Sequence, residues 1–187
     1  MASRNTLLRS MHDIGLASWF GGSLMGTVGL NGAASTAKNP TERLTISSAG
    51  WAKWAPVLLG SMVAHAVGSV GMLVTDADRV ALQKGARTPV VAKTVLTVAA
   101  AGVSLYSAIV GSKQAKHADE GAAGATEPSA SQSHELQAAQ KQQKVLQWVI
   151  PALTGVLLVL AAQQGEMQRP QKGLSALLAR TGLRSNG

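Results

Sequence analysis

His65 is the residue whose type and position most strongly suggest chemistry. It lies in a run without charged residues that extends from Trp54 to Thr75, and a run of this length is typical of a helix that crosses a bilayer. We place it about ten residues from the inner end of that helix, at a depth of about 15 Å. An ionisable group at such a depth is a candidate functional residue, because its burial in lipid is costly.

Two methionines are candidates to share a ligand site with His65. Met62 lies one helical turn before it, and Met25 is expected at a similar depth in the preceding span. Thioether sulfur together with imidazole nitrogen suits Cu(I), so these three residues form a candidate copper site. The alternative is a structural role, in which a neutral imidazole hydrogen-bonds Ser61, Thr154 or a backbone carbonyl. We favour the structural role.

His12 is a second candidate, near the start of the first apolar run. It adjoins Asp13 and follows Arg9 by about one helical turn, so these three residues form a candidate proton-handling or anion site. Polarity at a helix end near the membrane surface explains these residues equally well. A haem held by His12 and His65 is disfavoured, because about 15 Å of depth is expected to separate them. We expect no cofactor, with copper or haem as the alternatives.

Several classes of chemistry are excluded by residue type and motif. The chain has no cysteine, which rules out disulfides, thiolate metal sites, iron–sulfur clusters and cysteine nucleophiles. The sequence also contains no nucleophile elbow, phosphate-binding loop, HExxH motif or EF-hand pattern. We therefore expect a protein that is not an enzyme.

The net charge of +8 does not indicate a nucleic-acid partner. The basic residues are scattered at the ends of apolar segments, and no Lys/Arg stripe with interleaved aromatic residues occurs. Basic residues that flank membrane spans account for the charge. The expected surroundings are a lipid bilayer and other membrane protein subunits, or further copies of this chain.

The composition favours a membrane bundle over a soluble core. Only 14% of the residues are charged, against about 25% in soluble domains. The chain has one Phe and one Tyr, whereas a soluble core of this size would use more aromatic bulk. Membrane helices can pack through small residues instead, because close backbone approach supplies their contact.

The predicted fold is a single all-α membrane domain over residues 1–187. Four transmembrane helices are expected at about 5–31, 52–75, 89–112 and 135–164. Residues 32–50 are predicted to be a polar loop and 113–133 a flexible outer loop. A short helix at about 172–182 is expected to lie on the bilayer surface. Pro151 is expected either to kink the fourth helix or to lie near its start.

Small residues follow the helical repeat on the first two spans. They predict close packing between these two helices, which should form the tightest pair. The helix-packing residues are Gly15, Gly22, Gly26 and Gly29 on the first helix, and Gly60, Ala64, Gly68 and Gly71 on the second.

The distribution of Lys and Arg predicts the orientation. With the N-terminus inside, ten of them fall on inner segments and seven on outer loops. The excess favours N- and C-termini on the cytoplasmic side of the cell membrane.

The stretch Leu8-Arg-Ser-Met-His-Asp-Ile-Gly-Leu-Ala-Ser-Trp-Phe-Gly-Gly22 carries a family resemblance. Its Arg, His, Trp and paired glycines resemble the first helix of copper-resistance D-type membrane proteins. The resemblance implies a copper- or haem-linked role, in which His12 is the position that matches the histidine of that family. The Ala-, Gly- and Val-rich spans are also similar to those of small bacterial membrane proteins.

These observations favour a non-catalytic membrane component, either an accessory subunit or a scaffold. The alternative is a copper- or haem-binding membrane protein that uses His65 with Met25 and Met62, or His12. A small pore is disfavoured, because no predicted span has a polar face that continues across the bilayer.

Overall fold

The structure, a computed structural model, is helical throughout the residues it describes. These are residues 6–75, 77 and 87–167. The structure is 88% helix and has no strand in the part described. The helices are α1 (Thr6–Met25), α2 (Asn31–Ser35), α3 (Pro40–Thr75), α4 (Arg87–Lys116) and α5 (His134–Met167). A π-helical turn, Gly26–Leu30, joins α1 to α2, and a 3₁₀ turn, Ala118–Glu120, follows α4.

The predicted count of four long helices agrees with the structure, when α1 is taken together with its continuation into α2. Within the described residues, α3, α4 and α5 are long and apolar enough to cross a membrane, which indicates a membrane location. The α1 helix is not among them, because Arg9, His12 and Asp13 lower the hydropathy of its 20 residues. The predicted surface helix at 172–182 lies outside the described residues.

The α3 helix begins at Pro40, within the region predicted to be a polar loop. Asn39 is the physical reason, because its side-chain oxygen accepts the backbone N–H of Thr41 at 3.1 Å. Asn before the first turn, Pro at its first position and an acidic Glu42 within it together favour a helix start. The Asn-Pro pair therefore starts a helix rather than marking a loop.

The bundle is built around α1. This helix packs antiparallel against α3, with Leu8 at Gly71 and Gly26 at Trp51, and its other side packs against α5. The α4 helix packs against α5, whereas α3 and α4 touch much less extensively. We refer to this sparse boundary as the α3/α4 seam. The hydrophobic core joins Leu16 and Trp19 of α1 to α4 and α5.

Glycines let the backbones of α1 and α3 touch. A Cβ atom added to Gly15 would lie 2.6 Å from the backbone oxygen of Ser61 and 2.6 Å from the backbone nitrogen of His65. A Cβ atom added to Gly68 would lie 2.5 Å from the backbone nitrogen of His12. Neither obstacle can rotate away, because both are main chain. These two positions therefore fix the register of the pair.

The other residues of the predicted glycine faces fall into two groups. Gly22 and Gly26 lie beneath the indole rings of Trp54 and Trp51, and Gly71 lies beneath Leu8. Two of the glycines make no such contact between the helices. A Cβ atom on Gly60 would meet nothing within 4 Å, one on Gly29 would meet only Met25 of its own helical path, and Ala64 is half-buried.

Hydrogen bonds join the other end of the bundle. Pro151 lies inside α5 and lacks an N–H, so the carbonyl of Gln147 loses its usual helical donor. The hydroxyl of Thr27 lies 2.9 Å from that carbonyl. Asn31 donates to the Gln147 side chain at 2.8 Å. Asn31 also accepts the hydroxyl of Ser47 at 2.8 Å, so one amide connects α2, α3 and α5.

The segment predicted to be a flexible loop is folded against the bundle. Ala122 and Ala125 are each 1% exposed, and Ala122 packs with Leu44 and Leu136. The guanidinium of Arg43 donates to the carbonyls of Ala122 and Ala123 at 3.1 and 2.9 Å. Small side chains allow this burial, so a lack of large apolar residues did not mean a lack of packing.

Glu120 closes this folded segment. Its carboxylate accepts the backbone N–H of Ser133 at 2.6 Å and the Ser133 hydroxyl at 2.9 Å. His117 Nδ1 lies 2.7 Å from the same carboxylate. The hydrogen bond from the Ser133 amide, helped by the hydroxyl and His117, holds the pKa of Glu120 below its ordinary value of 4.5.

The backbone contact between α1 and α3 predicts different outcomes for two Gly→Leu substitutions. Gly68→Leu should destabilise the bundle by about 3 kcal/mol, because its side chain must displace backbone. Gly60→Leu is the matched control, because nothing lies within 4 Å of its Cβ position, and it should change stability by less than about 0.5 kcal/mol. Thermal unfolding in detergent measures both. Equal unfolding temperatures for the two variants would refute the contact.

The lowered pKa of Glu120 predicts that acid loosens residues 117–133. A carboxylate with a depressed pKa contributes its stability above its unfolded pKa, and this contribution is lost as the pH falls through the folded pKa. Amide hydrogen exchange of this segment, corrected for intrinsic rates, should therefore increase between about pH 5 and pH 3. Glu120→Gln should abolish that increase, and Glu42→Gln should preserve it. The same pH profile in Glu120→Gln would show that another group controls the segment.

Candidate functional site

A partly open cavity of about 330 Å³ lies between α1, α3, α4 and α5. We call it the histidine cavity. Its walls are mainly apolar, and one region of the lining is rich in polar and charged side chains. The polar lining includes Arg9, His12, Asp13, His65, Lys93 and Gln164. Both histidines named from the sequence therefore belong to a single cavity.

His12 and His65 lie side by side, and the predicted separation of about 15 Å is wrong. Their ring centroids are 4.4 Å apart, with the planes tilted by 43°. The register set by Gly15 and Gly68 is the physical reason. The backbone of His12 packs on Gly68, and His65 precedes Gly68 by about one turn of α3. The two imidazoles consequently lie at the same level.

Hydrogen bonds give the His65 ring a definite orientation. Its Nδ1 lies 3.2 Å from the backbone carbonyl of His12, which requires that Nδ1 carries the proton and donates it. Its Nε2 lies 3.4 Å from the Thr97 hydroxyl. The expected side-chain partners are engaged elsewhere, since Ser61 and Thr154 each hydrogen-bond a carbonyl of their own helix. Of the expected structural partners, the backbone carbonyl is the one observed.

His12 is held by its neighbour in the sequence. Its Nδ1 lies 2.7 Å from the carboxylate of Asp13. The His12 side chain is buried, with 7% exposed, whereas 60% of the Asp13 side chain is exposed. The Asp13 carboxylate therefore lies at the edge of the cavity, between the buried His12 ring and the exterior of the bundle.

The candidate copper donors do not come together. Met25 is 64% exposed, and it adjoins Gly26, which packs on Trp51. Trp51 precedes His65 by about 21 Å along α3. Met62 packs against the hydrophobic core. In the part of the chain that the structure describes, no three His, Asp or Glu residues form a group that could hold a metal. The predicted set of His65, Met25 and Met62 is therefore not assembled, because Met25 lies away from His65.

The two histidines do not fit a haem in this arrangement. A metal between two opposed imidazoles holds each nitrogen at about 2 Å, so the nitrogens would lie about 4 Å apart and the ring centres farther still. The observed centroid separation is only 4.4 Å with the rings adjacent. No space for an iron and its porphyrin lies between them.

Lys93 is a site residue that the sequence reasoning missed. In the sequence it lies in the first turn of the third predicted span, where a long basic side chain can extend to the membrane surface. In the structure it is half-buried in the histidine cavity, and its ammonium donates to the side-chain oxygen of Gln164. The sequence does contain an indication of this role, because a charged residue within an otherwise uncharged run is a functional candidate for the same reason as His65.

A second cavity of about 310 Å³ lies at the other end of the bundle. Its described lining contains amides and hydroxyls, including Asn31, Ser107 and Gln147, and no charged side chain. Trp19 lies between the two cavities. Its indole N–H donates to Ser104 at 3.1 Å, and its ring meets His65 edge-on at 6.3 Å.

Comparison with known proteins gives no assignment: no protein-family model, curated protein or solved structure matches the chain. The likeness of Leu8–Gly22 to copper-resistance D-type proteins therefore stays a prediction. The candidate site rests on its own geometry, which is a buried histidine pair beside a half-buried lysine.

Proposed function

We propose that this chain is a non-catalytic integral protein of the cell membrane that serves as an accessory or scaffold subunit of a membrane complex. The observation that carries the proposal is the placement of its apolar residues. Of the most apolar windows of α3, α4 and α5, only 17%, 22% and 28% are buried inside the protein. The remaining residues of these windows need an apolar environment outside the chain.

The composition of the interior also supports a membrane location. Among the described residues, fifteen polar or ionisable side chains are buried against twelve hydrophobic ones. Many of them hydrogen-bond one another or the backbone, as Asn31 and Gln147 do. An interior richer in polar than in apolar side chains, inside an apolar exterior, is what hydrocarbon surroundings favour.

An accessory or scaffold role is favoured by the faces that the bundle leaves unpaired. Gly60 of α3 and Gly102 of α4 have nothing within 4 Å of their Cβ positions, and large apolar side chains such as Val63 and Leu105 are exposed around them. Small residues among apolar ones let a neighbouring membrane helix approach closely.

Affinity purification from native membranes in a mild detergent tests the subunit role. We expect at least one membrane protein to co-purify in near-stoichiometric amount, as measured by quantitative mass spectrometry. Gly60→Leu should reduce its recovery several-fold while leaving the isolated chain folded, because the added side chain projects outward. Gly21→Leu is the control, since nothing lies within 4 Å of that Cβ position on α1 either. A single monodisperse monomer with no partner would contradict the proposal.

We also propose that both termini are cytoplasmic, which is supported by the excess of Lys and Arg on the corresponding segments. The chain has no cysteine, so single-cysteine variants report the orientation directly. Ala130→Cys, at an exposed position, should react with a membrane-impermeant maleimide in intact cells. Asn186→Cys should react only after permeabilisation, and the opposite pattern would reverse the topology.

A further inference from the structure

The histidine cavity combines two environments in one space. Its polar region contains Lys93 and Arg9, and its apolar walls include Val70, Val98 and Leu157. The volume of about 330 Å³ falls within the range of small-ligand pockets. A ligand that satisfies both environments must carry a polar group at one end and hydrocarbon at the other.

The charge of the polar region favours an anion. The Lys93 ammonium has three N–H donors, and one is used by the neutral amide of Gln164. Among the described residues, no carboxylate lies within salt-bridge distance of Lys93. The nearby acid, Asp13, hydrogen-bonds His12 and is 60% exposed, so its charge acts on Lys93 from beyond salt-bridge distance. A half-buried cation beside a neutral partner is stabilised by a bound anion.

The apolar side of the cavity opens toward the outside of the bundle. Val70 and Val98 line the cavity and are also 61% and 67% exposed. They lie on α3 and α4, on either side of the sparse α3/α4 seam. A hydrocarbon chain entering between them would remain in contact with the surrounding bilayer. A small soluble anion would leave these walls without a partner.

We propose that the histidine cavity binds an anionic membrane amphiphile. Lys93 is the counter-ion of its head group, and an acyl chain lies along the α3/α4 seam. The head group is a carboxylate or a phosphate, since either supplies the charge and the hydrogen-bond acceptors that Lys93 requires. This binding is independent of the accessory role and adds a ligand to it.

Fluorescence titration of the full-length protein in an uncharged detergent tests the proposal. The probe is dansyl-undecanoic acid, detected by energy transfer from tryptophan. Lys93→Met keeps the apolar stem and removes the charge, so it should weaken binding by about tenfold or more. Lys93→Arg should retain binding. Lys53→Met is the matched control, because Lys53 is exposed on α3 and does not line the cavity.

Three competitors identify the head group. Displacement of the probe by palmitate alone indicates a carboxylate, and displacement by phosphatidylglycerol indicates a phosphate. Displacement by inorganic phosphate alone would overturn the amphiphile proposal. The probe's methyl ester should bind the unmodified protein at least about tenfold more weakly than the acid, a comparison that holds even if Lys93→Met fails to fold. Equal binding of ester and acid, or of Lys93→Met and the unmodified protein, would refute the proposal.

Discussion

The backbone contact between α1 and α3 is the constraint on which the rest of this structure depends. Gly15 admits the main chain of Ser61 and His65, and Gly68 admits that of His12. Because main chain meets main chain at both places, neither helix can slide along the other without a clash. The same register brings the carbonyl of His12 within hydrogen-bonding distance of the His65 ring. The histidine cavity therefore depends on the absence of a side chain at Gly15 and at Gly68.

The opposite end of the bundle is held by a different kind of contact. There, the Asn31 amide donates to the side-chain oxygen of Gln147 and accepts the Ser47 hydroxyl, within a buried group of amides and hydroxyls. Pro151 has no N–H, so the carbonyl of Gln147 lacks its usual helical donor and accepts the Thr27 hydroxyl. Buried amide networks are strong where water is excluded, and they demand that each member finds its partner. Close packing defines one end of the molecule and hydrogen-bond pairing the other.

The sequence was sufficient to predict the all-helical class and the four long helices. Apolar run length and helical spacing are local properties, and they can be seen without knowing the neighbours of a helix. The register between helices is not local. A shift of α1 by a few turns leaves every periodicity intact, which is why Met25 was expected near His65 and His12 far from it.

Two further differences, at Asn39-Pro40 and at residues 113–133, have local causes. Asn39-Pro40 lies within the predicted loop of residues 32–50, although the same pair is a helix start. Residues 113–133 were expected to be flexible because they lack large apolar side chains, yet alanines such as Ala122 are small enough to be buried. Lys93, by contrast, was missing from the predicted site, because run length and helical spacing do not show that a cavity surrounds its ammonium.

The hydrogen bond from His65 ends on a main-chain oxygen rather than on the imidazole of His12. Every amino acid at position 12 supplies that same oxygen as long as α1 keeps its place. The two histidines are thus neighbours, but the hydrogen bond of His65 does not require the imidazole of His12. Position 12 can be redesigned, to alter the polarity of the cavity or to introduce a spectroscopic label, while the ring of His65 keeps its anchor.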